Sequence, residues 1–357
     1  MRRTVSFFLV LLLFVATAGC DLFSADSSSP PPPQWSVSGL KGRDVWALKT
    51  YNQRLYAATD SGLYRRPLTP GSEWTMDGLA GKWIIDLTWR KDGSLLAGIR
   101  YPDEVSEKGP VLYKRAPSVG AEWSAFEAGY GPKGDRTVRA LAAVPGARDT
   151  LFARGSRHVA GSTDGATHWN AVWGDWGQLG YQAPLLYVSP HDPSMVFAGG
   201  ENSTFQPYLV RSPDSGATWA RSGPSLGEGD NAVYSMIEHP KNPKHFLLGL
   251  EGYVLRSTDG GQSWSTIYEP PAYTYVFDFA AYSTPDHTVV YAAGSENGAQ
   301  AGPLALHRTE NFGDSWERIV HTSGPDSTAV RTVTHAEVNN RPRLYLGTLN
   351  GVYVYRP

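Results

Sequence analysis

Ser212-Pro213-Asp214-Ser215-Gly216-Ala217-Thr218-Trp219 and Ser257-Thr258-Asp259-Gly260-Gly261-Gln262-Ser263-Trp264 are one phrase written twice, a hydroxyl, an Asp, a Gly, a second hydroxyl and a Trp at fixed spacing. A short carboxylate at the third position can accept hydrogen bonds from the backbone of its own turn, Gly supplies a positive φ, and Trp covers the apolar base of the hairpin that follows. Weaker copies stand on either side. Thr309 to Trp316 has Asn311 for Asp but keeps Gly313, and Ser162 to Trp169 keeps Asp164 with Ala166 for the second Gly. Gly71 to Trp74 and Gly120 to Trp123 retain only the Gly-x-x-Trp half.

The tryptophans of these phrases set a period. They fall at Trp74, Trp123, Trp169, Trp219, Trp264 and Trp316, with Trp35 ahead of them, and the last six are 49, 46, 50, 45 and 52 residues apart. Each period holds four short β-like runs. In the first these are Val45-Trp46-Ala47-Leu48, Leu55-Tyr56-Ala57-Ala58, Leu63-Tyr64-Arg65-Arg66 and Trp74-Thr75-Met76, and the order recurs from Ile84, Val138, Leu185, Val233, Val276 and Val330. The seventh unit ends after its third run, while Gln34-Trp35-Ser36-Val37 has the pattern of a fourth run with nothing before it. A ring of blades must pair its ends or leave open edges. The expected fold is therefore all-β, a seven-bladed β-propeller of four-stranded blades, its last blade completed by residues 34–38.

Composition agrees. Trp 12, Tyr 19, Gly 38 and Pro 26 describe many short strands between punctuated turns, and all-β closed folds use this much chain for one domain. A net charge of −2, from 32 Lys+Arg against 34 Asp+Glu, provides no footprint for nucleic acid. Met1-Arg2-Arg3, an apolar run from Phe7 to Ala16 and Ala18-Gly19 before Cys20 form a processing signal too short to favour a permanent span. Thr17-Ala18-Gly19-Cys20 resembles a bacterial lipobox, which makes Cys20, the lone cysteine, the lipidated residue. Residues 1–19 are read as signal peptide, 20–33 as a Ser/Pro-rich tether and 34–357 as propeller, exported and membrane-anchored by lipid at the periplasmic face or cell surface.

The repeated phrase resembles the Asp-box, or bacterial neuraminidase repeat. Ser212, Asp214, Gly216, Trp219, Ser257, Asp259, Gly261, Trp264, Asn311, Gly313, Trp316, Asp164 and Trp169 carry that resemblance. Propellers with this box include sialidases, xyloglucanase-type glycosidases, sortilin-type receptors and photosystem II assembly-factor-like proteins, and a single ring with eroded boxes is most similar to the last group. The resemblance implies that the boxes are structural and face away from the ligand side, and that calcium is not to be inferred from them.

Function is then expected on the opposite face. There the long insertions gather: Tyr101 to Pro110, Glu201 to Pro207 and Ser295 to Pro303, with Gly129 to Arg136, Val172 to Ala183 and Thr322 to Thr328. Within them Trp173, Asp175, Trp176 and Tyr181 suggest a stacking platform for a sugar ring or a peptide. Charges stand out on the inner strands, Asp86 and Asp278 at one aligned position and Arg139 and Arg331 one residue earlier. They read either as Asp–Arg pairs bracing the channel or as an anion site on Arg139, Arg331 and Arg100. Arg66, Arg115, Arg211, Arg256, Arg308 and Arg356 recur at the end of the third strand and belong to the architecture. No metal-ligand spacing, phosphate loop or nucleophile motif occurs, so no cofactor or metal is expected.

Three readings follow. The first is a monomeric, non-enzymatic binding lipoprotein that holds a protein or carbohydrate on its long-loop face. The second is a polysaccharide-acting glycosidase or lyase with Asp86 and Asp278 as carboxylates at the channel mouth. The third is a structural scaffold in an envelope complex, with contact to the membrane through the lipid anchor alone.

Overall fold

The computed structural model describes residues 34–101, 110–118, 120–126, 137–174, 185–202, 204–222, 231–296, 298, 302–319 and 328–357. Cys20 and the residues read from sequence as signal and tether lie outside them. Twenty-eight strands form seven four-stranded antiparallel sheets.

β1 (Gln34–Gly39) precedes the first complete blade, which is β2 (Val45–Tyr51), β3 (Arg54–Thr59), β4 (Gly62–Pro67) and β5 (Thr75–Gly78). Blade two is β6 (Trp83–Trp89), β7 (Leu95–Arg100), β8 (Leu112–Arg115) and β9 (Trp123–Phe126). Blade three is β10 (Ala140–Ala143), β11 (Leu151–Arg154), β12 (Val159–Ser162) and β13 (Asn170–Trp173). Blade four is β14 (Leu185–Val188), β15 (Val196–Glu201), β16 (Pro207–Ser212) and β17 (Ala220–Arg221). Blade five is β18 (Val233–Glu238), β19 (Phe246–Leu250), β20 (Val254–Ser257) and β21 (Ser265–Tyr268). Blade six is β22 (Tyr275–Ser283), β23 (Thr288–Ser295), β24 (Leu304–Thr309) and β25 (Glu317–Arg318). Blade seven is β26 (Val330–Val338), β27 (Arg341–Thr348) and β28 (Gly351–Arg356), completed by β1. The fourth strand shrinks to two residues in blades four and six, where the outer edge faces water and has least to bury.

The closing strand takes the place of an ordinary fourth strand and makes the corresponding contacts. β1 runs antiparallel to β28 from Gln34↔Arg356 to Val37↔Tyr353, with a bulge before Gly39↔Val352. Its last two residues then seat the next blade's tryptophan: Trp74 Nε1 donates to the Ser38 carbonyl at 2.9 Å, as Trp123 Nε1 donates to the Asp77 carbonyl at 3.3 Å. A Cβ on Gly39 would lie 2.6 Å from the Trp74 ring, and one on Gly78 2.5 Å from that of Trp123. Gly39 (φ 127°) and Gly78 (φ 118°) are thus required twice, for conformation and for room. Arg66 reaches Ser38 Oγ at 2.9 Å and Arg115 reaches the Asp77 carbonyl at 2.9 Å, each with its guanidinium over the tryptophan. These third-strand arginines hold neighbouring blades together.

The core lies between blades rather than within one. Ile85 and Leu96 of blade two pack with Val138, Leu141 and Leu151 of blade three, and Tyr291 and Leu306 of blade six with Val333, Leu344 and Tyr355 of blade seven. Burial of the framework tryptophans is uneven. Trp169 is 3% exposed, whereas Trp35, Trp74, Trp123, Trp219, Trp264 and Trp316 are half-buried.

The boxes fold as their chemistry requires. Asp214 accepts from the Ser212 hydroxyl, the Thr218 amide and the Thr218 hydroxyl, and Ser212 Oγ accepts from the Gly216 amide. Asp259 repeats the set with Ser257, Gln262 and Ser263. Burial alone would raise the Asp259 carboxyl, but the bonds from Ser263, Ser257 and Gln262 outweigh it and hold it at about 2. Asn311 accepts from Thr309 and Ser315 with its oxygen and returns a bond to Ser315 Oγ from its amide, and Asp164 adds the His168 ring at 2.6 Å. These bonds of each carboxylate and of Asn311 run into its own turn, which they brace. Gly165, Ser215 and Gly260 donate to carbonyls of the turn between the first two strands of the same blade, so box and short turn share a face.

If β1 closes the ring, its removal exposes the β28 edge. Deleting residues 34–39 should yield an aggregation-prone protein, and Trp35→Ala should cost about 2–3 kcal/mol, less than for a fully buried indole, because Trp35 is half-buried against Tyr355. Thermal denaturation with no change in midpoint for either variant would contradict the closure.

Candidate functional site

The mouth of the channel on the face away from the boxes is shaped by a recurring bulge. The inner strands β2, β6, β18, β22 and β26 each slip register by one residue near their start, between Val45/Ala47, Ile84/Asp86, Val233/Ser235, Val276/Asp278 and Val330/Thr332. Trp46, Ile85, Tyr234, Phe277 and Arg331 are the extra residues. A bulge leaves its residue outside the ladder and re-aims its side chain, so blades one, five, six and seven present a non-repeating, half-buried residue at one level of the ring, while Ile85 stays in the core between blades two and three.

Over blades seven, one and two these residues form a stacked assembly of cations and indoles. The Arg331 guanidinium lies 3.8 Å from the Trp46 ring centroid. Arg100, from the end of β7, stands over Trp46 at 5.3 Å and over Trp83 at 5.4 Å, and the two indoles meet edge to face at 5.8 Å. Asp44 fixes Arg331 with a two-toothed grip, Nε to Oδ1 at 2.9 Å and Nη2 to Oδ2 at 3.2 Å. Burial raises the Asp44 carboxyl, opposed by its bond to Arg331 and by the charges of Arg331 and Arg100. The Nε1 donors of Trp46 and Trp83 are shielded from solvent with no hydrogen-bond partner among the described residues. The assembly therefore gathers two guanidinium groups on indole faces, a flat cationic surface suited to an anionic or carboxylate-bearing ligand.

The two inner-strand carboxylates have other work. Asp86 accepts from the Leu87 amide and, across the blade boundary, from the Leu141 amide, and it pairs with Lys49 at 2.6 Å. Asp278 accepts from the amides of Phe279 and Val333 and from the Thr332 hydroxyl. Neither forms an Asp–Arg pair with Arg139 or Arg331, because Arg331 is taken by Asp44. Burial pushes Asp278 up to about 6, against the bonds from Val333, Thr332 and Phe279.

The remaining sequence candidates separate. Trp173 ends β13 opposite Val159, and its ring packs against Tyr208 at 5.7 Å and Trp219 at 6.4 Å between blades three and four. Asp175, Trp176 and Tyr181 lie outside the described residues, as do most of the long insertions. Arg139 is buried beside Ser156, its Nε 3.4 Å from the hydroxyl. Of the three arginines chosen from sequence, Arg100 and Arg331 are brought together by Trp46. Sequence reasoning passed over Asp44, Trp46 and Trp83. The available signal was that Trp46 and Trp83, like Trp173 and Trp176, fall outside the framework period.

No protein-family model matches the chain. Over 161 residues, 44% of the chain and 42% of the relative's length, it is 27% identical to the photosystem II assembly lipoprotein Ycf48 of Synechococcus sp. (strain CC9902). In sequence the chain is similar to Ycf48. Among solved structures, YCF48 bound to D1 peptide superposes with a TM-score of 0.63 at 13% identity, over 92% of this chain and 97% of that one. YCF48 from Cyanidioschyzon merolae does so at 0.64 and 11%, over 90% and 98%. An ancestral GH74 enzyme gives 0.66 at 13%, over 89% of this chain and 48% of its own. At these identities the structural likeness is one of fold, and it agrees with the Asp-box propeller read from the repeats.

The raised Asp278 carboxyl makes stability depend on pH with a definite sign. Between the ordinary carboxylate value and about 6 the folded state holds a proton that the unfolded chain releases, so this residue lowers stability as pH rises through that window. The melting temperature of the native protein minus that of Asp278→Asn should therefore fall between pH 4 and 7 and level off above it. A difference that stays constant across the series would refute this assignment.

Proposed function

We propose that the chain is an exported, lipid-anchored propeller that binds a protein segment without catalysis, on the face opposite its Asp-boxes. The observation that carries this reading is the Arg331–Trp46–Arg100–Trp83 assembly, in which the indole faces hold two guanidinium groups close together, a pair suited to a carboxylate. A carboxylate at the end or on a side chain of an extended peptide meets that description. Two further considerations support it. The solved relative with YCF48 is a complex with a D1 peptide, and Asp86 and Asp278 spend their oxygens on backbone amides instead of standing ready as acid and base.

Phage-displayed or arrayed peptides should enrich for acidic residues or a free terminal carboxylate, whereas a glycan array should stay blank. Arg100→Gln should weaken the selected peptide by about tenfold or more with little change in melting temperature, and Trp83→Ala should weaken it as much while also lowering the melting temperature, because that indole is half-buried. Saturable binding to glycans alone, or hydrolysis of a polysaccharide that Asp86→Asn or Asp278→Asn abolishes, would overturn the proposal. Anchoring has its own check. Cys20→Ser should move the exported protein from the membrane to the soluble fraction and abolish labelling with a fatty-acid probe, and an unchanged distribution would exclude Cys20 as the anchor.

A further inference from the structure

A second cluster occupies another arc of the same mouth, at blades five and six, and its chemistry is opposite. Tyr234 and Phe277, the bulge residues of β18 and β22, meet at 4.8 Å nearly at right angles. Tyr275 lies 6.0 Å from Tyr234 and 5.9 Å from Phe277, and Tyr273 stands edge-on to Tyr275 at 5.6 Å. Four aromatic rings from two blades thus surround one stretch of the rim. Tyr273 is 51% exposed, with its hydroxyl 3.2 Å from Asn231 Oδ1 and its ring against Gly252.

The polar groups here are acidic. Tyr234 donates to Glu251 Oε1 at 2.5 Å, and Glu251 is bridged to Tyr275 through the backbone. The hydroxyls of Tyr234 and Tyr275 are both raised, first by burial and then by the Glu251 carboxylate, and Glu201 adds to the effect at Tyr234. Negative charge therefore sits at the hydroxyl edges of these rings. Beyond Asn231, whose amide donates to the Phe205 carbonyl, Phe205 is 58% exposed and held at φ 60°. Asn202 imposes that backbone by accepting from the Thr204 amide, the Thr204 hydroxyl and the Gln206 amide. A bulky residue in the left-handed region at a loop tip is maintained against its preference.

Aromatic faces with a carboxylate at the ring edge attract a cation through the ring quadrupoles and through charge at once. We propose that this cluster is a second subsite, which takes the ammonium or guanidinium of a lysine or arginine side chain in the bound segment. It extends the peptide reading above and rests on it. The Arg331–Trp46 arc takes the carboxylate and the Tyr234–Tyr275–Phe277 arc takes the cation, so the mouth selects both the charges and the direction of its ligand.

Small probes separate the two arcs. Acetyl-lysine methylamide and tetramethylammonium should bind the full chain saturably, read as shifts of tyrosine ring signals. Binding should weaken roughly tenfold in Tyr275→Leu and in Glu251→Gln. Tyr273→Ala, at a half-exposed ring whose loss does not threaten the fold, should also weaken it, while acetate binding stays as in the native protein. Arg100→Gln should do the reverse. Absence of saturable cation binding, or cation affinity equal in the native protein and all three variants, would overturn this subsite. Cation binding that persists where acetate does not bind at all would instead overturn the carboxylate reading and leave the cation site standing.

Discussion

The innermost strand of every blade has a sheet neighbour on one side only. Its other edge faces the channel, where unpaired amides and carbonyls are partly screened from water, and leaving them so costs free energy comparable to a lost hydrogen bond for each group. The ring meets that demand by borrowing side chains from the adjacent blade. Asp86 takes the Leu141 amide and Thr88 the Ala143 amide, Asp278 takes the Val333 amide, Thr332 the Leu48 amide, and Tyr187 the Glu238 amide. Carbonyls are met in the same way, by Ser235 at Val276 and by Lys49 at Leu87. Blade-to-blade registry, and with it the level at which each inner strand bulges, follows from this stitching.

That constraint explains why the fold was legible in the sequence and the site was not. The framework announces itself because blade after blade draws on one residue set, whole or eroded: the box Asp and Gly for the turn, Trp for the hairpin base, Arg for the contact with the neighbour. Even the split blade could be read, since Gln34 to Val37 carries the fourth-strand pattern without its three companions. The stitches do not repeat. The same edge is satisfied by Asp, Thr, Ser, Tyr or Lys in different blades, so Asp86 and Asp278 looked exceptional in an alignment of strands although their task is shared.

The binding candidates were obscured for a related reason. Arg331 and Trp46, or Tyr234 and Phe277, become neighbours only after a one-residue bulge has lifted them out of alternation and the ring has set different blades side by side. Periodicity within a strand assigns such residues to the wrong face. Trp173 shows the limit from the other side, since spacing alone does not reveal that its ring packs partly buried against Tyr208 and Trp219 between blades three and four. What composition did convey was an excess of tryptophan over the seven that the blades use.

The seat that Ser38 and Gly39 provide for Trp74 has a bearing on how the ring comes together. β1 is made first and its sheet partner β28 last, more than 300 residues apart in a fold already rich in distant pairings, which makes the final joining intrinsically slow. Yet β1 does not have to drift as a free tail during that interval. Trp74 and Arg66 belong to the very next blade and hold Ser38 from outside the sheet, so the strand can be parked on blade one as soon as that blade exists. The last blade then arrives at a template already in place, and the search that completes the circle is shortened from both ends of the chain to one.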